Sequence, residues 1–159
     1  MKRWTASTLF LLIALFLGAT LTHTANANDA EIKALLDEIA DLESKHNSLA
    51  KSKNKAESER DAETEKLNYI SASIANTDRY IASAKKAYDA AENDEERADW
   101  ASVIEDLEDY RQSQVYQYNS VAYTIQLLAS KIDNLNADIA KVKKEITIAY
   151  ARLFELLND

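Results

Sequence analysis

The residue types that most often carry chemistry are scarce in this 159-residue chain. His46 is the only histidine after residue 27, and the chain contains no cysteine. A transition-metal site needs several nitrogen or sulfur ligands, so a lone histidine does not predict one. His46 instead falls on an apolar repeat, where a polar side chain can fix the pairing of two helices. Its imidazole would make that pairing sensitive to pH.

Carboxylates are the second candidate for chemistry, because they cluster around and after residues 92–96. The cluster consists of Glu92, Asp94, Glu95, Glu96, Asp99, Glu105, Asp106, Glu108 and Asp109. Calcium prefers such oxygen ligands, but no glycine-containing loop is available to wrap an ion. Carboxylates that hydrolyse a substrate need a cleft between them, which a two-helix seam does not provide. We therefore interpret the cluster as a solvated acidic surface and expect no metal and no other cofactor.

Signatures of catalysis and of nucleotide binding are missing. After residue 27 there is no glycine for a phosphate-binding loop, no cysteine nucleophile, and no serine at a plausible spacing from a histidine and a carboxylate. The sequence therefore predicts a protein that is not an enzyme, with no catalytic and no cofactor-binding residues. The formal net charge of -8 argues against nucleic acid as a partner, and the lysine-rich stretches 51–55 and 141–144 are short.

The first 27 residues have the pattern of a secretory signal peptide. Lys2 and Arg3 supply the positive end, residues 9–17 are an apolar run, and Ala25 and Ala27 form a small-residue cleavage site. We expect the remaining chain, residues 28–159, to be periplasmic or secreted, with no stable membrane insertion after cleavage. A retained membrane anchor is the alternative, although the apolar run is about half of the ~20 residues that cross a bilayer.

Residues 28–159 contain no glycine and no proline, and their apolar residues repeat every seven positions. In a heptad lettered a to g, positions a and d begin at Ile32 and Leu35 in one register and at Arg97 and Trp100 in a second. Of these 36 positions, 28 are apolar. The two registers differ in phase by two residues, which favours a turn over one continuous rod. The sequence predicts an all-α fold, a long antiparallel helical hairpin (coiled coil) with arms at about 29–91 and 95–157.

A turn at Asn93 and Asp94 pairs residues whose numbers sum to about 187, and Asn93 with Glu96 fits a capping box. The pairing is poor in the centre. There, Lys53, Ala56, Arg60 and Glu63 face an apolar group within 125–132. Two interpretations follow: a break near residues 52–54 that gives a three-helix arrangement, or an oligomeric bundle in which another chain covers the apolar group.

An interaction surface is predicted on the second arm. Tyr116 and Tyr123 occupy position f, away from the seam, one heptad apart and beside small apolar residues. Exposed aromatic residues of this kind suggest a contact surface, although amphipathic tyrosines also lie along ordinary helix surfaces. The predicted surface comprises Val115, Tyr116, Tyr123, Ile125, Leu128 and Ile132.

These observations lead us to expect a structural or adaptor module that binds a protein partner or self-associates. A general resemblance to periplasmic helical chaperones implies a holdase-like chaperone as an alternative. This chain departs from those chaperones because they are basic and it is acidic. A third alternative is a self-assembling lattice protein of the extracellular space or of secretory granules.

Overall fold

Two long helices form a hairpin in the computed structural model, which describes residues 27–158. Helix α1 spans Ala27–Ala90 and helix α2 spans Asp94–Asn158. They run antiparallel: Arg152 pairs with Glu31 at the open end, and Lys85 pairs with Glu108 near the turn. The predicted all-α hairpin is confirmed, and the helix limits differ from the predicted arms by no more than two residues. The predicted signal peptide, apart from Ala27, lies outside the described residues.

Helix α1 continues without interruption through residues 52–54. The predicted break and the three-helix arrangement are therefore wrong for residues 27–158, which form two helices. The physical reason is local, since no glycine or proline interrupts this segment. Lys53 and Lys55 also form ion pairs one turn along the helix with Glu57 and Glu59, at 3.5 and 3.8 Å. Both features favour a continuous helix through the charged segment.

The buried side chains form one narrow strip along each helix. Every buried residue occupies a predicted position a or d: Leu35, Ile39, Ala56, Ile70, Thr77, Ile81, Ala84, Ala91, Gln114, Val121, Ile132, Val142, Ala149 and Leu153. At the open end Leu35 and Ile39 pack with Ala149 and Leu153 into one apolar cluster. The outer surfaces of both helices remain in contact with solvent.

The turn satisfies its free backbone groups without glycine or proline. The Asn93 side-chain oxygen accepts a hydrogen bond from the Glu96 N–H at 2.9 Å, as the capping box predicts. The Glu96 carboxylate reaches one residue further back than predicted and accepts from the Glu92 N–H at 3.1 Å. Arg97 donates to the carbonyl of Ala91 at 3.3 Å, so the end of α1 is capped by the start of α2.

The poorly matched central layer is present, and the hairpin accommodates it by partial burial. Ala56 is fully buried, whereas Lys53, Arg60 and Glu63 are only half-buried. Half-burial lets a charged side chain cover apolar surface with its hydrocarbon stem and keep its charge in water. Among the described residues, all polar contacts between the helices lie outside residues 44–72 of α1. The centre of the hairpin is therefore held by apolar burial alone.

Candidate functional site

The structure divides the six residues of the predicted interaction surface into two groups. Ile132 is buried in the seam, with 6% of its surface exposed, and Ile125, Leu128 and Val115 are half-buried. Tyr116 and Tyr123 point away from the seam and are 68% and 62% exposed. Only the two tyrosines are fully available to a partner of the hairpin, while the aliphatic residues pack within or beside its seam.

The hairpin is a ribbon with two broad sides, which its contacts between helices identify. In an antiparallel pair, positions e border the seam on one side and positions g on the other. Lys85 and Glu108 join e to e at 2.8 Å, whereas Glu31 and Arg152 join g to g at 2.6 Å. Positions b lie on the e side and positions c on the g side, while positions f form the outer edge of each helix between the two sides.

Five strongly exposed tyrosines lie on the g side and on the adjoining edge of α2. Tyr69, Tyr80 and Tyr110 occupy positions c and g, and Tyr116 and Tyr123 occupy position f. Their exposed fractions range from 57% to 77%. We call these five residues the tyrosine face. The sequence pattern indicated Tyr116 and Tyr123 but missed Tyr69, Tyr80 and Tyr110. Only the pairing of the helices brings the two α1 tyrosines to the level of those on α2.

The tyrosine face is almost free of charge. Residues 67–77 of α1 and 112–130 of α2 contain no charged side chain, and the contacts of Gln114 with Ser73 and Thr77 place the two segments side by side. Small polar residues occupy positions g and c between the tyrosines: Ser73, Asn76, Ser113, Gln117, Ser120 and Thr124. Charged side chains begin directly beyond these segments, where Asp78 and Lys85 form ion pairs with Arg111 and Glu108. The uncharged part of the ribbon therefore carries Tyr69, Tyr116 and Tyr123, and Tyr80 and Tyr110 lie at its end.

A buried polar cluster lies in the seam at the level of the tyrosine face. The Thr77 hydroxyl oxygen lies 3.1 Å from both Gln114 Oε1 and the Ser73 carbonyl oxygen. Gln114 Nε2 donates to Ser73 Oγ at 2.6 Å, and Thr77 and Gln114 are both buried. A shift of one helix along the other would leave these groups without partners, so the cluster holds the register that aligns the tyrosines.

His46 lies on the rim of an open groove that Glu43, Lys143 and Ile146 also line. It is half-buried, as a polar seam residue would be. Within residues 27–158 no three side chains of the metal-binding types come together. The proposed role of His46 in fixing helix pairing stays a prediction.

Next to this groove, Tyr150 donates a hydrogen bond to the Glu43 carboxylate at 2.9 Å. Burial, together with the bond to Glu43 and its charge, raises the pKa of Tyr150 to about 12. The folded state therefore favours the protonated phenol. The resulting stabilisation is complete below pH ~10, the ordinary tyrosine pKa, and is lost as the pH rises towards 12.

Tyr150→Phe is expected to lower the free energy of unfolding by about 1 kcal/mol at pH 8, because the bond to Glu43 is lost. The difference from the wild type should shrink above pH 10 and vanish near pH 12. Urea denaturation at a series of pH values measures both effects. Tyr88→Phe, at a partly exposed position outside the tyrosine face, is the control and should show no such trend. A Tyr150→Phe deficit that stays constant from pH 8 to 12 would contradict the prediction.

Comparison with known proteins does not assign this chain to a family. No protein-family model, curated protein or solved structure matches it. Neither of the two described helices contains an apolar stretch long enough to cross a membrane. The functional inference therefore rests on the hairpin and its surfaces.

Proposed function

We propose that this chain is a non-enzymatic coiled-coil protein of the periplasm or the extracellular space that acts as a structural or adaptor module. The tyrosine face is the observation that carries the proposal. Tyrosine is enriched in protein interfaces because it offers a large amphipathic surface at a small cost in side-chain entropy. Small polar residues between the tyrosines supply adaptable hydrogen bonds, so the surface suits a protein partner.

The hairpin presents this surface on a long, regular support. Each helix has about 65 residues and is therefore about 97 Å long. The seven-residue repeat and the burial confined to positions a and d support a left-handed coiled coil. Such a ribbon exposes most of its outer surface to a partner. The signal-peptide pattern of residues 1–27 supports the proposed location.

Site-specific photocrosslinking in the native compartment tests the proposal. A photoreactive amino acid at Tyr116 or Tyr123 should yield at least tenfold more crosslinked protein than one at Ala137, an exposed position f on the same helix. Equal yields at the three positions would contradict an interaction function for the tyrosine face. Helical circular dichroism of each variant verifies that the hairpin is intact.

The crosslinked products also separate the three classes of function. One or a few discrete products support an adaptor, whereas a broad range of products indicates a holdase-like chaperone. A regular series at multiples of the mass of this chain indicates a self-assembling lattice.

A further inference from the structure

We propose that the tyrosine face binds the tyrosine face of a second copy of this chain. The two hairpins would lie antiparallel about a two-fold axis near Tyr116. In this arrangement the acidic turn of each copy lies against a lysine-rich belt of the other. The inference rests on the proposed interaction function and names the partner.

The exposed area of the tyrosine face is close to what a stable dimer needs. A tyrosine side chain buries about 200 Å² when fully covered. The five members are about two-thirds exposed on average, so together they offer about 650 Å². A specific interface buries about 800 Å² on each partner. The serine, asparagine, glutamine and threonine residues between the tyrosines lie within the same footprint and supply the remainder.

Charge is distributed unevenly along the hairpin. The turn region, residues 79–109, contains ten acidic and four basic side chains. On the other side of the tyrosine face, residues 45–56 contain four lysines and no acidic residue, and residues 133–144 contain three lysines and two aspartates. Both segments line the groove that contains His46 and Lys143, so they lie side by side. We call these two segments the lysine belt.

The spacing of these regions favours an antiparallel pair. The lysine belt on α2 lies 17–28 residues from Tyr116, which is about 26–42 Å along the helix. In the opposite direction α2 begins at Asp94, 22 residues or about 33 Å from Tyr116, and α1 ends beside it. Reversing a second hairpin about Tyr116 therefore places its acidic turn against the nearer part of the lysine belt. A parallel pair would place one acidic turn against the other, which is unfavourable.

Part of this charge lies at positions g and c, on the side of the ribbon that carries the tyrosines. In the lysine belt these positions include Lys45, Lys55 and Lys141, together with Asp138. In the turn region they include Glu96, Asp99 and Asp106 and no basic residue. By the pairing sum of 187, Lys55 lies 16 residues from the level of Tyr116, and Asp99 lies 17 residues away in the opposite direction, so reversal brings these two side chains to nearly the same level. Two copies of this acidic chain repel each other through their net charge. Opposite charges at the same level reduce that repulsion.

Sedimentation equilibrium of the full chain, expressed with its own N-terminus and purified from the compartment where it accumulates, tests the interface. The wild type should form a dimer. Tyr80→Glu with Tyr116→Glu should raise the dimer dissociation constant at least tenfold while helical circular dichroism is unchanged. Phe154→Glu is the matched control, because Phe154 is equally exposed but occupies position b on the e side. A wild type that remains monomeric, or equal effects of both variants, would overturn the proposal.

A charge exchange tests the orientation. Lys55→Glu should raise the dimer dissociation constant about threefold, because the two-fold axis repeats each charge contact. Adding Asp99→Lys to the same chain should restore the dimer, since each copy then carries the exchanged charges. Both positions are exposed, so the hairpin should stay folded. Failure of the double variant to recover dimerisation would exclude the antiparallel charge match.

Crosslinking gives a second measure of orientation, because the chain has no cysteine of its own. Copies carrying Lys55→Cys are mixed with copies carrying Asp99→Cys and treated with a bifunctional thiol reagent about 10 Å long. Mixed dimers should exceed both homodimers, and a predominance of Asp99→Cys homodimers would indicate the parallel arrangement and overturn the proposal. If the wild type is monomeric but photocrosslinks other proteins through Tyr116, self-association is wrong and the interaction function stands.

Discussion

Ile39→Ala is expected to lower the free energy of unfolding by about 3 kcal/mol. Ile39 is 1% exposed and packs in the cluster formed with Leu35, Ala149 and Leu153 at the open end of the hairpin. Truncation removes buried apolar surface and leaves a cavity, because a two-helix seam has no second layer to fill the space. Urea denaturation followed by circular dichroism measures the change.

Ile148→Ala provides a matched control with the same change of side chain. Ile148 lies on α2 near the same end of the hairpin, but 57% of its surface is exposed. Its truncation should change the free energy of unfolding by less than about 0.5 kcal/mol. If both substitutions destabilise the protein equally, the seam assigned to Ile39 is wrong.

Thr77→Val is expected to destabilise the hairpin by about 2 kcal/mol, although valine has nearly the same shape as threonine. Loss of the hydroxyl removes a partner of Gln114 Oε1, and Gln114 is buried. An unsatisfied buried polar group costs about 1–3 kcal/mol. The double variant Thr77→Val with Gln114→Leu should recover most of the loss, because both buried polar groups are then absent. Equilibrium denaturation of the single and double variants gives the coupling energy.

Thr64→Val is the control for the threonine change itself. Thr64 also donates to the carbonyl four residues earlier, that of Arg60, at 2.8 Å, but it is exposed. Water can replace its hydroxyl contacts, so we expect an effect below about 0.5 kcal/mol. Strictly additive effects of the Thr77 and Gln114 substitutions would show that the two side chains are not coupled and would contradict the proposed cluster.

The position of the turn was predictable because its determinants are local. The phase change between the two heptad registers and the capping pair of Asn93 and Glu96 lie within a few residues of each other. Both are properties of a short segment, and the hydrogen bond between Asn93 and Glu96 is present. The residue numbers of Ser73 and Gln114 add up to the predicted 187. In the remaining contacts between the helices, the two residue numbers add up to within six of that value.

The break predicted at residues 52–54 failed because a charged seam layer was treated as incompatible with a continuous helix. Partial burial changes that expectation, since Lys53, Arg60 and Glu63 keep their charges near solvent while Ala56 fills the seam. How far a long side chain is buried depends on the distance between the helices. The heptad pattern of a single helix does not determine that distance.

The sequence by itself determined the helices, their turn and the strip that each helix buries, because all three follow from local backbone preferences and a seven-residue period. Only the tertiary structure decided which surface residues belong together. Tyr69 and Tyr80 lie about 30 to 50 residues from the α2 tyrosines in the chain, yet helix pairing brings all five to one part of the ribbon. The cluster of Ser73, Thr77 and Gln114 likewise exists only across the seam. Such groupings depend on the register between two helices, which residues far apart in the chain establish together.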